Sequence, residues 1–242
     1  METLPTIKET SDRPDMAEGL LGGVMEAVKV HIRDNGLQVG DELPSEGAFA
    51  ELTGASRTIV REAYRSLAAL TLIDIGNGRR ARVAAPKADV LAMITDHAVH
   101  TNQATIQQIF DVRRTIERRT VALAALRRTD REAAEIYALA EAMQRDFNDP
   151  QKVMEHDIAF HEAIGVASKN PMFSLIVGSF HVVTRHTWPI GWASRGSNET
   201  RQESIDGHFA IAQAIANGDP AKGEAAMGEH FDLTVKALLA AG

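Results

Sequence analysis

The chain has 242 residues and no cysteine, with 33 acidic against 26 Lys and Arg residues for a net charge of −7. That length suits two domains rather than one, and the missing thiols exclude disulfides and thiolate metal sites. No apolar stretch reaches the roughly 18 residues of a membrane span, and the polar start lacks the basic and apolar runs of a signal peptide, so the expected location is the cytoplasm. Residues 1–15 are expected to form a disordered tail.

In chain order, the first organised unit is expected over residues 16–84. A short helix at about Ser45 to Thr53 is followed by Gly54, and Ser56 is placed to cap a second helix opened by Arg57 and Thr58. In that helix Val60, Ala63, Tyr64, Leu67 and Leu70 recur at three- and four-residue intervals and make an apolar face, while Arg57, Arg61 and Arg65 form a separate stripe. Arginines near a helix N-terminus are mildly unfavourable, by roughly 0.3–1 kcal/mol each, unless an anion neutralises them. A solvated charged face is the ordinary reading of such a stripe. Beyond it, however, Gly76-Asn77-Gly78 separates two β-prone runs, Leu72 to Ile75 and Ala81 to Val83, and the hairpin they predict carries Arg79, Arg80 and Arg82. From Arg57 to Arg82 six arginines face only Glu62 and Asp74 in an otherwise acidic chain. The pattern is that of a winged helix-turn-helix, with its second helix suited to a DNA major groove and its wing to the flanking backbone.

Gly40-Asp41-Glu42-Leu43-Pro44-Ser45-Glu46, then Ser56-Arg57-Thr58-Ile59-Val60-Arg61-Glu62-Ala63 and the Leu67, Leu70, Leu72-Ile73 run, resemble the DNA-binding domain of the GntR family of bacterial transcription regulators. The resemblance spans about 60 residues. It implies a homodimer on a short palindromic operator, with Arg57 and Arg61 at base edges, Ser45, Ser56 and Thr58 against phosphates, and Arg79 and Arg80 on the wing. Two positions depart from the family pattern: Gly47 stands where an arginine is common, and Arg80-Ala81 replaces a common glycine-threonine wing tip. The operator sequence is therefore expected to differ from those of better-known relatives.

After a linker and connecting helix at 85–104, helical periodicity runs through 105–127, 130–147, 151–167, 172–188, 199–217 and 220–240, which predicts an all-α bundle of six or seven helices. The breaks are explicit: Thr129-Asp130, Asn148-Asp149-Pro150, Asn170-Pro171, Pro189 to Gly196 and Asn217-Gly218-Asp219-Pro220. Asp157 and His161, four residues apart, share one helix face, a spacing that suits chelation of one ion. His208 and His230 sit among apolar residues of the last two helices. Three imidazoles and a carboxylate make a borderline ligand set for Zn²⁺, Ni²⁺ or a similar divalent ion. From spacing alone, hydrogen-bonded core or surface histidines are the favoured account of the pattern.

Residues 105–235 also resemble the helical effector domain called FCD, of the FadR subfamily, through Val112-Arg113, Ile116-Glu117, Asp157-x-x-Phe160-His161, Asn170-Pro171, His208 and His230. The resemblance implies that Asp157, His161, His208 and His230 hold a metal, that acyl-CoA is not the ligand, and that the effector is a small carboxylate or sugar acid. Arg113 is the candidate to grip that acid, and a helix-surface ion pair with Glu117 is the competing reading. His181, Arg185 and His186, leading into Trp188 and Trp192, line the effector cavity or belong to an interface or the cavity's rim. The expected function is a metabolite-responsive, DNA-binding repressor without enzymatic activity. The alternative is a metal-dependent hydrolase using the Asp/His₃ centre to activate water, for which neither Glu155 nor Glu162 makes a convincing base.

Overall fold

The computed structural model describes residues 14–241 and divides into two compact units, one ending at Lys87 and one beginning at Ala88. The tail expected over 1–15 lies outside the described residues, except for Pro14 and Asp15, which open a helix. In the first unit α1 (Pro14–Asp34) packs on α3 (Arg57–Ala69), and α2 (Glu46–Thr53) on α3 as well. Ser45 caps α2 and Ser56 caps α3, each side chain accepting from a first-turn N–H, of Ala48 and of Ile59 respectively. Such caps hold a short helix start at about 1 kcal/mol each. Between the two helices Gly54 takes φ +72°, a left-handed conformation that costs glycine little and lets the chain turn sharply. Val24, Val28, Leu43, Phe49, Val60 and Leu67 close the core, each contributing roughly 1.5–3 kcal/mol on burial. Tyr64 is anchored there by donating to the Pro44 carbonyl at 2.8 Å.

The wing is a two-stranded antiparallel ribbon, β1 (Ile73–Asp74) with β2 (Arg82–Val83), in the register Ile73 to Val83 and Asp74 to Arg82. Glu42, preceding α2, bridges to Arg82 and ties the ribbon to the rest of the unit.

The second unit is entirely helical among its described residues: α4 (Ala88–His100), α5 (Ile106–Arg127), α6 (Asp130–Arg145), α7 (Pro150–Ala167), α8 (Pro171–Ser179), α9 (His181–Ser194), α10 (Asn198–Ala216) and α11 (Pro220–Leu239). Seven of these follow residue 105. Helix α5 lies against α11, α7 and α10, and α6 against α7 and α10, around Phe110, Val121, Ile136, Met143, Phe160, Ile211 and Phe231. The starts follow from local chemistry. Thr105 with Gln108, Thr129 with Glu132 and Ser197 with Thr200 form capping boxes, and Asp149, Asn170 and Asp219 cap helices that begin with proline. At Gly165 a Cβ would lie 3.3 Å from the Ser174 backbone, so glycine lets α7 and α8 approach.

The expected helix over 172–188 differs from the observed one. It is split at Phe180 into α8 and α9, and α9 runs through Pro189 to Ser194, where a break had been expected. Proline removes one helical hydrogen bond, but Trp192, one turn beyond Trp188, is buried and stacks on it with centroids 4.9 Å apart, which carries the helix on.

One cap makes a measurable contribution. Glu132 accepts from the Thr129 N–H at 2.8 Å and pairs with Lys169, and these contacts push its carboxyl down to about 2. Because the folded value lies below the ordinary 4.5, the stabilisation is complete above that pH and is lost as pH falls toward 2. Glu132→Gln keeps the capping acceptor but removes the charge that faces Lys169. It is therefore expected to lower stability modestly at neutral pH and to flatten the loss of stability across this acid window in denaturant melts. Superimposable acid limbs for the two proteins would contradict the assignment.

Candidate metal centre and nucleic-acid interface

On α3 the apolar face is buried, while Arg57, Thr58, Arg61 and Arg65 are exposed. Arg65 bonds Glu62 at 3.2 Å and Arg61 lies 4.0 Å from the same carboxylate, whereas Arg57 makes no ion pair among the described residues. Arg57 leans over Gly47, where a Cβ would sit 3.4 Å from its guanidinium carbon. An arginine at position 47 would set like charge beside it. The capping hydroxyls of Ser45 and Ser56 act as acceptors, so each retains its own proton to donate to an anion. Arg79 pairs with Asp74 at 2.6 Å and Arg80 approaches Glu42 at 3.7 Å, both exposed. Arg82 differs: it donates to the Gly40 carbonyl at 2.6 Å and to Glu42 at 2.5 Å, so it braces the wing. Glu42 was not singled out from sequence, because its partner lies 40 residues away.

In the helical unit, Asp157 and His161 from α7, His208 from α10 and His230 from α11 converge. All four are buried, and each offers one ligand atom, all within 4.8 Å of one another. The hydrogen bonds fix what this cluster needs. His208 Nδ1 lies 2.8 Å from the Ser204 carbonyl, an acceptor, so Nδ1 carries a proton. Its Nε2 lies 2.9 Å from Asp157 Oδ1, so ring and carboxyl face each other across a space that one shared proton or a metal ion fills. His161 Nε2 is buried with no hydrogen-bond partner in the protein. Its Nδ1 abuts a carboxylate oxygen of Glu117 at ion-pair distance, though not along a hydrogen-bond direction.

Charge follows the same logic. Burial would raise the Asp157 carboxyl, but the bond from His208 and the surrounding imidazoles hold it well below the usual carboxylate range. Burial, then the charges of His208 and His161, push His230 well below an ordinary imidazole, leaving it a neutral lone-pair donor. Burial also disfavours the His161 imidazolium, and Glu117 and Asp157 together outweigh it and raise this group. A buried carboxylate, a lone-pair imidazole and an orphaned ring nitrogen around one point form a donor set that fits a divalent ion.

Arg113 does pair with Glu117, at 2.9 Å, but not on the surface: both side chains are almost fully buried, at 5% and 1% exposure. Nη1 donates to Thr184 at 2.8 Å, and the guanidinium lies 5.2–5.5 Å from the ring centroids of Phe110, Phe180 and Phe231. Arg113 lines the cavity that also holds Asp157, His161 and His230, together with Trp188 and Arg195. Glu117 thus sits between the Arg113 guanidinium and the His161 ring, touching both. On α9, Trp188 reaches the cavity. His181 instead bonds the Gly178 carbonyl, Arg185 is held at the surface by Glu155, and His186 is exposed near Asp96. His156 bonds Asp146 and stays outside the cluster. Among the described residues no helix is long and apolar enough to cross a membrane.

Residues 108–233, just over half the chain, match the FCD domain family, and residues 21–83 match the bacterial regulatory proteins of the gntR family. The chain is 28% identical over 228 residues to the HTH-type transcriptional repressor NanR of Salmonella newport, covering 91% of this chain and 85% of that one. NanR of Salmonella typhimurium gives the same identity over 91% and 84%. Among solved structures, Streptococcus agalactiae GntR superimposes with a TM-score of 0.65 at 20% identity, over 89% of this chain and 99% of that one, and shares the fold. These relatives are regulators, and nothing in them favours the hydrolase alternative. The chain belongs to the GntR family of bacterial regulatory proteins, in the branch that carries an FCD domain, and is a metabolite-responsive DNA-binding transcription regulator rather than an enzyme.

Proposed function

We propose that the protein is a cytoplasmic homodimeric repressor that reads a palindromic operator with Arg57 and Arg61 and releases it when a small organic acid binds at a metal held by Asp157, His161, His208 and His230. The convergence of those four buried side chains carries the reading. Zn²⁺ suits three imidazoles and one carboxylate best, and Ni²⁺ is the second choice. Bound there, the ion supplies a Lewis-acidic anchor for a carboxylate. The chain's own residues do the rest: Ser204 fixes the His208 tautomer, Glu117 orients His161, and Arg113 lends positive charge to the cavity wall that receives the acid. Ser45, Ser56 and Thr58 hold phosphates, and Arg79 and Arg80 extend that contact along the wing. Repression is the sign that the names of the relatives support.

An acid alters operator affinity only if it binds the DNA-competent and the DNA-incompetent arrangements differently, and a tenfold difference corresponds to about 1.4 kcal/mol. Selection of genomic fragments by the purified protein at near-physiological salt tests the reading. A recurring palindrome is expected, and fragments no different from the input would refute it.

Glu117→Gln is expected to lower metal affinity about 10- to 100-fold, as loss of an outer-sphere partner does, and to destabilise the metal-free protein by stranding Arg113 without a counter-charge. Chelator competition and thermal melts read the two effects separately. Unchanged metal affinity would show that Glu117 serves Arg113 alone.

A further inference from the structure

The inner cavity beside Asp157, His161 and His230 has a volume of about 30 Å³. That is room for about two waters, so a carbon skeleton does not fit there. A second cavity of about 190 Å³ adjoins it, bounded by the end of α9, the start of α10 and the last turns of α11. A cavity of about 150 Å³ accommodates benzene, so the outer one accepts a ring-sized body. Its accessible lining is mainly apolar, with Leu233, Ala237 and Ala240, and it also carries the polar side chains of Thr200, Glu203 and Lys236.

Arg195 and Ser204 line both cavities and so form the partition between them. Arg195 caps the end of α9 and donates to the Gly191 carbonyl at 2.7 Å, with no carboxylate in ion-pair range among the described residues. Arg113, in contrast, is already committed to Glu117 and Thr184. Burial works against the Arg195 charge, and Asp157 across the inner cavity offsets this only in part. A half-buried cation without a counter-ion, standing between a metal-sized and a ring-sized cavity, is arranged to take an anion.

Resting on the effector reading above, we propose that the effector is an acid with a ring-sized body rather than a two- or three-carbon acid. The body occupies the outer cavity and Arg195 grips the carboxylate at the partition, directing it toward the metal ligands. The apolar lining accommodates a ring face, and Thr200, Glu203 and Lys236 its substituents.

Calorimetric titration of the full-length protein tests this with two probe sets: galacturonate, glucuronate and 4-hydroxybenzoate against acetate, glycolate and lactate. Metal content is measured on the same samples. At least one ring-bearing acid is expected to bind tenfold or more tightly than every short acid. Arg195→Gln is expected to weaken that binding about 10- to 100-fold, the loss typical of a charge-assisted bond. Arg195→Lys, which keeps the charge but not the fork, is expected to lose less, and it serves as the test if the glutamine variant fails to fold. Short acids binding as well as ring-bearing ones, no acid binding at all, or substitution at 195 without effect would each overturn the proposal. Arg195-dependent binding to protein that holds no metal would sustain the proposal and refute the metal reading.

Discussion

His208→Ala is expected to abolish stable metal binding and, with it, any response of operator affinity to acid. The substitution removes the Nε2 that faces Asp157 Oδ1 at 2.9 Å, one of four ligand atoms that lie within 4.8 Å of one another. Its effect on metal affinity should exceed the roughly 10- to 100-fold cost of losing an outer-sphere partner such as Glu117. A second consequence belongs to the metal-free protein. Asp157 is buried, and His208 is the hydrogen-bonding partner that holds its carboxyl low. Removing that partner leaves a buried carboxylate under-compensated, a change that costs about 3–5 kcal/mol in buried pairs. The variant should therefore bind less metal and melt lower with or without it. Elemental analysis after dialysis against a weak chelator reads the first effect and thermal denaturation the second. Wild-type metal content in the variant would remove His208 from the ligand set.

Arg57→Ala is expected to have the largest effect on DNA. A guanidinium that bonds guanine O6 and N7 together contributes about 1–3 kcal/mol of discrimination, so each half-site should lose about 5- to 150-fold in specific affinity. In a dimer the loss occurs twice. Arg57 suits this role better than its neighbours: it has no ion pair to break among the described residues, whereas Arg65 is held by Glu62 at 3.2 Å. Arg82→Ala should behave differently. Its guanidinium is occupied by Gly40 and Glu42, so its loss loosens the wing and weakens binding moderately and equally at all sequences. Binding titrations on operator and scrambled duplexes at two salt concentrations separate the two behaviours. An equal loss for Arg57→Ala on both duplexes would show that Arg57 touches only phosphates.

The two-part architecture was legible because its signals are local. Ser45 and Ser56 announce caps within three residues of their partners, the apolar face of α3 repeats at helical spacing, and Gly76-Asn77-Gly78 marks the wing tip. Helix starts at Thr105, Thr129, Asp149, Asn170 and Asp219 were visible for the same reason. Asp157 and His161 could be paired from their spacing, but uniting them with His208 and His230, 47 and more residues onward, required the family resemblance, since no local rule links three helices.

What was not legible depends on burial. An arginine and a glutamate at i and i+4 read as a surface pair, and only tertiary packing turns Arg113 and Glu117 into a buried link to His161. Arg195 lay in a stretch expected to be loop, because Pro189 outweighs a tryptophan stack in any local reading. The division at Phe180 has no breaker residue to announce it.

In the proposed mechanism an acid at the metal site changes how tightly the protein holds its operator. The most direct test is the operator dissociation constant of metal-loaded wild type and of His208→Ala, each with and without a saturating acid identified by titration. An acid-dependent weakening of tenfold or more is expected in the wild type and none in the variant. An operator affinity that no acid alters in the metal-loaded wild type, or that an acid alters equally in both proteins, would contradict it.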